Sequence, residues 1–182
     1  MIGRGLAAPA RRPIEVVIAQ AATLRAVSTL VAAAFDRSIA RDLGSVGRVA
    51  FRMYITERSI AARLAGGALG LVAKEAGVVI GYAEIQGRKR GLRGRDHLSL
   101  LFVEPGRQRR GVGRVLLRDV VRRLAELPEP PSDLTVHAAP ASVGAYLRMG
   151  FAPTGPMTMK DGLRYRPMVL RLRQSMDEAE SH

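Results

Sequence analysis

The 182-residue chain contains no cysteine. Disulfide frameworks, thiolate metal sites and acyl-cysteine intermediates are therefore excluded, and any acyl transfer must run without a sulfur nucleophile. Histidine is scarce: His97, His137 and His182 are the full set, and none stands at the close spacing of a zinc motif, so no metal is expected. Aromatic residues make up only 4% of the chain, which argues against a stacking platform for single-stranded nucleic acid. No apolar run approaches the ~18 residues of a membrane span. The opening MIGRGLAAPARRP lacks the apolar region of roughly 7 to 15 residues that a secretory signal needs. These absences lead to the expectation of a cytoplasmic protein with no membrane partner.

Positive charge is abundant. Lys and Arg number 29 against 16 Asp and Glu, a net charge of +13, and all but three of the basic residues are Arg. Such a surplus fits a solubilising surface, a coding bias toward arginine, or a partner rich in phosphate or carboxylate. Hydrophobic residues at 47% and charged residues at 25% are the mix of a folded globular protein, and the length suits a single core. The expected organisation is a mobile basic extension over 1–12, one domain over 13–173, and a polar tail over 174–182.

Periodicity orders the domain. IEVVIA at 14–19 is β-prone, and Leu24, Val27, Leu30, Val31 and Ala34 recur at helical spacing. Val49, Met53, Ile60 and Leu64 predict a second helix, interrupted at Thr56 and stopped by Gly66-Gly67. Residues 69–86 read as a hairpin turning at Glu75 to Gly77, and a basic, Gly-rich loop leads to a strand at 97–103. Val112, Leu116, Val120 and Leu124 mark a long amphipathic helix. A strand at 133–138, a short helix at 142–149 and two strands at 151–159 and 165–172 complete the chain. The fold class is a mixed α/β domain with one central sheet of about seven strands flanked by helices.

The passage LLFVEPGRQRRGVGRVLL is the strongest local signal. A strand enters a turn where Gly111 and Gly113 allow close backbone approach, and the free amides of the next helix point at the same spot, which suits an anion. No Gly-Lys-Ser/Thr follows, so this is not a Walker loop, and the third small residue of a dinucleotide fingerprint is missing.

Gln108-Arg-Arg-Gly111-Val-Gly113 resembles the Gln/Arg-x-x-Gly-x-Gly/Ala signature of the GNAT acyltransferase superfamily. LLFVEP upstream is similar to the family's fourth strand, AYLRMGF at 145–151 resembles its short helix ending in Tyr-x-x-x-Gly-Phe, and the element order agrees from residue 14 to about 172. The resemblance implies an α+β-type GNAT fold whose sheet is splayed between strands four and five, and an N-acetyltransferase that uses acetyl-CoA as co-substrate. It implies that Gln108, Arg109, Arg110, Gly111, Val112, Gly113 and Arg114 hold the pyrophosphate. Phe102 and Val103 would border the pantetheine arm, with the Val103 backbone offered to the thioester. It also implies direct attack by an amine in a ternary complex, with Tyr146 as general acid.

The base is less defined. Antiparallel pairing of 78–86 with 97–103 would bring Glu84, His97 and Ser99 to one face, making Glu84 the first candidate and His97 its partner or substitute. A base acting through water, or no dedicated base, stays open. One departure concerns Ala139, where many family members carry an Asn that orders the cofactor arm; the nearest polar group is His137, which reads as an ordinary strand residue.

The favoured acceptor is a small-molecule primary amine; GLRYRPMVL resembles the closing strand of one bacterial branch of the family, which implies Arg164 and Tyr165 as acceptor-lining residues, with core and edge packing as the equal alternative. Alternatives are a protein N-terminus, a lysine or an aminoacyl-tRNA, and, from another class, a non-catalytic acyl-CoA sensor or a basic nucleic-acid-binding module. The resemblance also implies a homodimer as the default assembly, since members of the family often pair through their last strands. Residues 88–123 hold 12 Lys or Arg against 3 Asp or Glu, so most of the net charge surrounds the loop assigned to a polyphosphate. The remainder, on the distal Arg118 and Arg122 and the loop with Arg88, Lys89, Arg90, Arg93 and Arg95, fits coding bias or an acidic acceptor.

Overall fold

Alternating and β-branched runs give eight strands in the computed structural model, which describes residues 12–87, 96–160 and 162–172. The expected basic extension up to residue 11, the loop 88–95 with its five basic residues, and the polar tail lie outside the described residues. The strands are β1 (Ile14–Ile18), β2 (Leu69–Glu75), β3 (Val78–Gln86), β4 (Asp96–Val103), β5 (Asp133–Ala138), β6 (Ala152–Pro153), β7 (Thr158–Lys160) and β8 (Leu163–Arg171). They form one mixed sheet in the order β1-β2-β3-β4-β5-β8-β6, with β7 beside β8. Every pairing is antiparallel except β4 with β5.

Helices cover both faces. On one face lie α1 (Ala21–Ser38), α2 (Ser45–Tyr54) and α3 (Glu57–Ala65), whose Val27, Val31 and Ile60 close over Val72, Tyr82 and Leu100. On the other, α4 (Val112–Ala125) packs Val112, Leu116, Val120 and Leu124 with Leu71, Ile80, Leu98 and Leu134, and α5 (Val143–Arg148) adds Tyr146 to the same cluster. Full burial of each such aliphatic side chain contributes roughly 1.5–3 kcal/mol. Gly81 permits the close seating of α4: a Cβ there would lie 2.9 Å from Leu116 Cδ1 and 3.0 Å from Val112 Cγ1.

Two predicted elements divide. The single helix expected over 49–64 is α2 and α3, because Thr56 caps a new start: its Oγ1 accepts the Ser59 amide at 3.2 Å. The strand expected over 151–159 is reduced to the short β6 and β7, since Pro153 and Pro156 remove ladder donors and Gly155 turns the chain between them.

Candidate active site

The sheet opens in its middle. β4 and β5 pair only at Asp96↔Leu134, His97↔Thr135 and Leu98↔Val136. β4 then stays with β3 as far as Gly81↔Val103, while β5 stays with β8 as far as Ala138↔Arg166. The Glu104 amide donates to Ile80 O at 2.9 Å. Ladder alternation therefore turns Phe102 toward β3 and sends the backbone N–H and C=O of Leu101 and Val103 into the opening, without a strand partner among the described residues. The Gln108 side chain donates to Val103 O at 3.2 Å.

This geometry changes one expectation. Phe102, placed by resemblance at the donor arm, has its backbone in the β3 ladder and its ring 6.0 Å from Phe51 on the opposite face. Leu101 occupies the corresponding place at the opening. Strand parity was the signal that could have found it.

At the mouth, Gly111 has φ +88° and opens α4, and Arg109 is also left-handed at φ +60°. The first helical bond runs from Val115 N to Gly111 O, no side chain caps the helix, and its first turn carries no acidic residue. The amides of Gly111, Val112, Gly113 and Arg114 thus converge with Arg109 and Arg110, both exposed, on a site made for an anion. A Cβ on Gly113 would meet only Val103 Cγ2, at 3.9 Å, so packing does not demand glycine there; the bare backbone leaves room for a ligand. The donor set therefore fits a pyrophosphate. Arg107 pairs with Glu75 and ties the loop to β2, and Arg114 donates to Arg148 O at 2.9 Å, linking α4 to the end of α5.

Tyr146 is buried, 8% exposed, with its ring edge-on to Phe151 at 5.2 Å. Burial pushes its hydroxyl pKa well above the usual phenol range, and the hydroxyl makes no hydrogen bond among the described residues. It shares a core cluster with Val112 and the half-buried Val103, beside the opening.

Glu84 and Ser99 do meet, Ser99 Oγ donating to Glu84 Oε1 at 3.2 Å across a bulge between Glu84 and Ile85. Glu84 is nevertheless fully buried, and its carboxylate is held by Arg63 in a fork of 2.6 and 2.9 Å and by the Tyr82 hydroxyl at 2.9 Å. Both oxygens are engaged, so the arrangement favours a structural ion pair over the expected base. The guanidinium also stacks over Tyr54 at 3.8 Å. Arg63 carried no readable signal in the sequence, because its partner lies 21 residues away.

His97 turns elsewhere. Its Nδ1 lies 2.9 Å from Thr135 Oγ1, and Thr135 donates its single hydroxyl proton to Asp96 O at 3.1 Å. Nδ1 is then the donor to Oγ1, and Nε2 keeps its lone pair. Burial, aided by His137, lowers the His97 pKa to about 4, leaving the ring neutral at physiological pH. His137 sits edge-on at 4.7 Å and stacks on Tyr165 at 4.0 Å, a row of rings across β4, β5 and β8. Arg164 is exposed. Among the described residues no group of three His, Asp or Glu is placed to hold a metal, and no helix is long and apolar enough to cross a membrane.

The family model for the acetyltransferase (GNAT) domain matches residues 39–172. No curated protein matches the sequence. Among solved structures, the fold is similar to the PaiA N-acetyltransferase from Thermoplasma acidophilum in complex with coenzyme A, with a TM-score of 0.71 and 15% identity over 87% of this chain and 99% of that one. It is also similar to the ribosomal-protein-S18-alanine N-acetyltransferase from Escherichia coli, with a TM-score of 0.63 and 18% identity over 88% and 94%. A third, yncA from Salmonella typhimurium with its cofactor acetyl-CoA, gives a TM-score of 0.60 and 25% identity over 87% and 94%.

Two tests follow from the geometry. Gly113→Ala should leave the melting temperature within a degree or two of the parent and weaken acetyl-CoA binding about tenfold or more, whereas Gly111→Ala, strained at φ +88°, should lower both. Calorimetric titration beside thermal melts distinguishes them, and full affinity in Gly113→Ala would remove the loop from the site. For His97, the unfolded chain takes up a proton near 6.5 and the folded one only near 4. Its contribution is complete above pH 6.5 and lost as pH falls toward 4, about 2 kcal/mol by pH 5. Urea melts at pH 7 and pH 5 should show that His97→Gln reduces the loss by this amount; equal slopes in the two proteins would contradict it.

Proposed function

The chain belongs to the GNAT acetyltransferase family, and from that premise we propose that it moves the acetyl group of acetyl-CoA onto a small primary amine, by direct attack in a ternary complex, with Tyr146 as the acid. Acetyl-CoA supplies the activated acetyl group. The observation that carries the assignment is Tyr146: a buried residue beside the opening, whose hydroxyl is protonated and has no hydrogen-bond partner among the described residues. A proton held at that oxygen is available to a departing sulfur. The unpaired amides of Leu101 and Val103 are fixed donors for an oxygen at the depth of the opening, and Gly111 to Arg114, with Arg109 and Arg110, hold the phosphates.

The acceptor enters on the face carrying His97, His137 and Tyr165. His97 Nε2 is the base in this reading. Held neutral, it is always in the accepting form, and as a weak base it passes the proton to water. Glu84 keeps Arg63, Tyr82 and Ser99 in place beneath it.

A small acceptor is favoured by α2. Near its C-terminal end Phe51 approaches Phe102 of β4, and near its start Gly47 packs on the β7–β8 turn, where a Cβ would lie 3.5 Å from Gly162 O. The helix therefore bridges from β4 to the far hairpin and roofs the acceptor face, a closure an extended polypeptide would have to displace. Tyr146→Phe should lower turnover about 100-fold while changing the acetyl-CoA Kd by less than about twofold. With labelled acetyl-CoA, small primary amines should exceed peptides and tRNA in kcat/KM by about tenfold or more. Unchanged turnover in the variant removes Tyr146 from the chemistry, and faster labelling of peptide or tRNA overturns the acceptor assignment.

A further inference from the structure

Arg166 has no part in the site as built above. It lies on β8 opposite Ala138, the last residue of β5, at the end of the strand that forms one wall of the opening. Strand alternation places it on the face of Met168 and Ala138, both in the core cluster that holds Val112, Leu116 and Tyr146. It therefore stands on the donor side of the sheet, away from His137 and Tyr165. Its Nε is buried and has no hydrogen-bond partner among the described residues. Folded chains rarely leave a buried N–H without an acceptor. The neighbouring wall residue, Ala139, is half-buried and offers only a methyl group.

Depth identifies the missing acceptor. Ala138 is two residues beyond Val136, the last β5 residue paired with β4, whereas the phosphate-binding turn follows Val103, five residues beyond Leu98 on the other wall. Arg166 is thus near the closed end of the opening. The part of coenzyme A that reaches this depth is the neutral arm with its two amide carbonyls, and the phosphates remain at the mouth. We propose that Arg166 is a donor-binding residue whose guanidinium donates a hydrogen bond to an amide carbonyl of the coenzyme A arm. The inference rests on the acetyl-CoA site proposed for the opening and adds a contact to it.

Titration calorimetry with acetyl-CoA, dephospho-acetyl-CoA and S-acetylpantetheine tests it on the full chain. Arg166→Gln should weaken all three by a similar factor, about tenfold, because the lost bond is to the arm they share. Arg166→Lys, which keeps the charge but not the Nε–H, should weaken all three as well, and covers the case in which the Gln variant fails to fold. Weakening confined to the phosphate-bearing ligands would show a charge effect at the mouth and overturn the assignment. Unchanged affinity for all three, or a rise only in the amine KM, would overturn it too. Failure of the parent protein to bind acetyl-CoA would instead sink the donor site itself, so the two failures are distinguishable.

Discussion

Three residue pairs decide this molecule. β4 and β5 run together only from Asp96 to Leu98, and each then follows its other neighbour. The joint at the apex is buttoned by side chains: Thr135 reaches Asp96 O, and His97 reaches Thr135. Beyond it, backbone groups that a continuous sheet would satisfy internally face an opening. In a folded chain such groups are nearly always paired, so an unpaired row backed by a rigid ladder is a preorganised binding surface. The helix that follows β4 begins at the mouth of the same opening and adds its own free amides, so one topological feature builds both ends of the proposed donor site.

Electrostatics sorts the arginine surplus into two populations. Many arginines are tied to carboxylates: Arg52 to Asp36, Arg63 to Glu84, Arg107 to Glu75, Arg171 to Asp133. On α4, Arg122 and Arg123 grip Asp119, and Arg122 also reaches Glu126, which accounts for part of the distal helix charge without any ligand. Exposed pairs of this kind contribute little stability. Arg109 and Arg110 differ in lying exposed against a helix start with no acidic residue in its first turn. Position therefore separates the arginines proposed to bind from those paired with carboxylates, where composition alone could not.

Much of the architecture was legible because periodicity and glycine placement are local. The long α4, the 69–86 hairpin and the loop at Gly111–Gly113 follow from spacing and from the conformations only glycine adopts easily. Boundaries were lost where a cap or a proline intervened, at Thr56 and at Pro153 and Pro156. The proposed chemistry was legible in part. Tyr146 and the loop rest on contiguous motifs, but the fate of Glu84 depended on Arg63, and that of His97 on Thr135, partners distant in sequence. Glu84 and His97 do share a sheet face, His97 standing opposite Gln86, but their partners Arg63 and Thr135 draw them into separate networks. Parity along β4, which exchanges Phe102 for Leu101, is a tertiary fact that becomes visible only once the neighbour of each strand is known.

Amide hydrogen exchange on β4, with and without acetyl-CoA, tests the central claim most directly. The amides of Leu101 and Val103 should gain protection on ligand binding together with Gly111 to Arg114, while Phe102, already in the β3 ladder, should change little. Equal protection of Phe102 and its neighbours, or protection gained only outside β4 and the α4 start, would contradict the account.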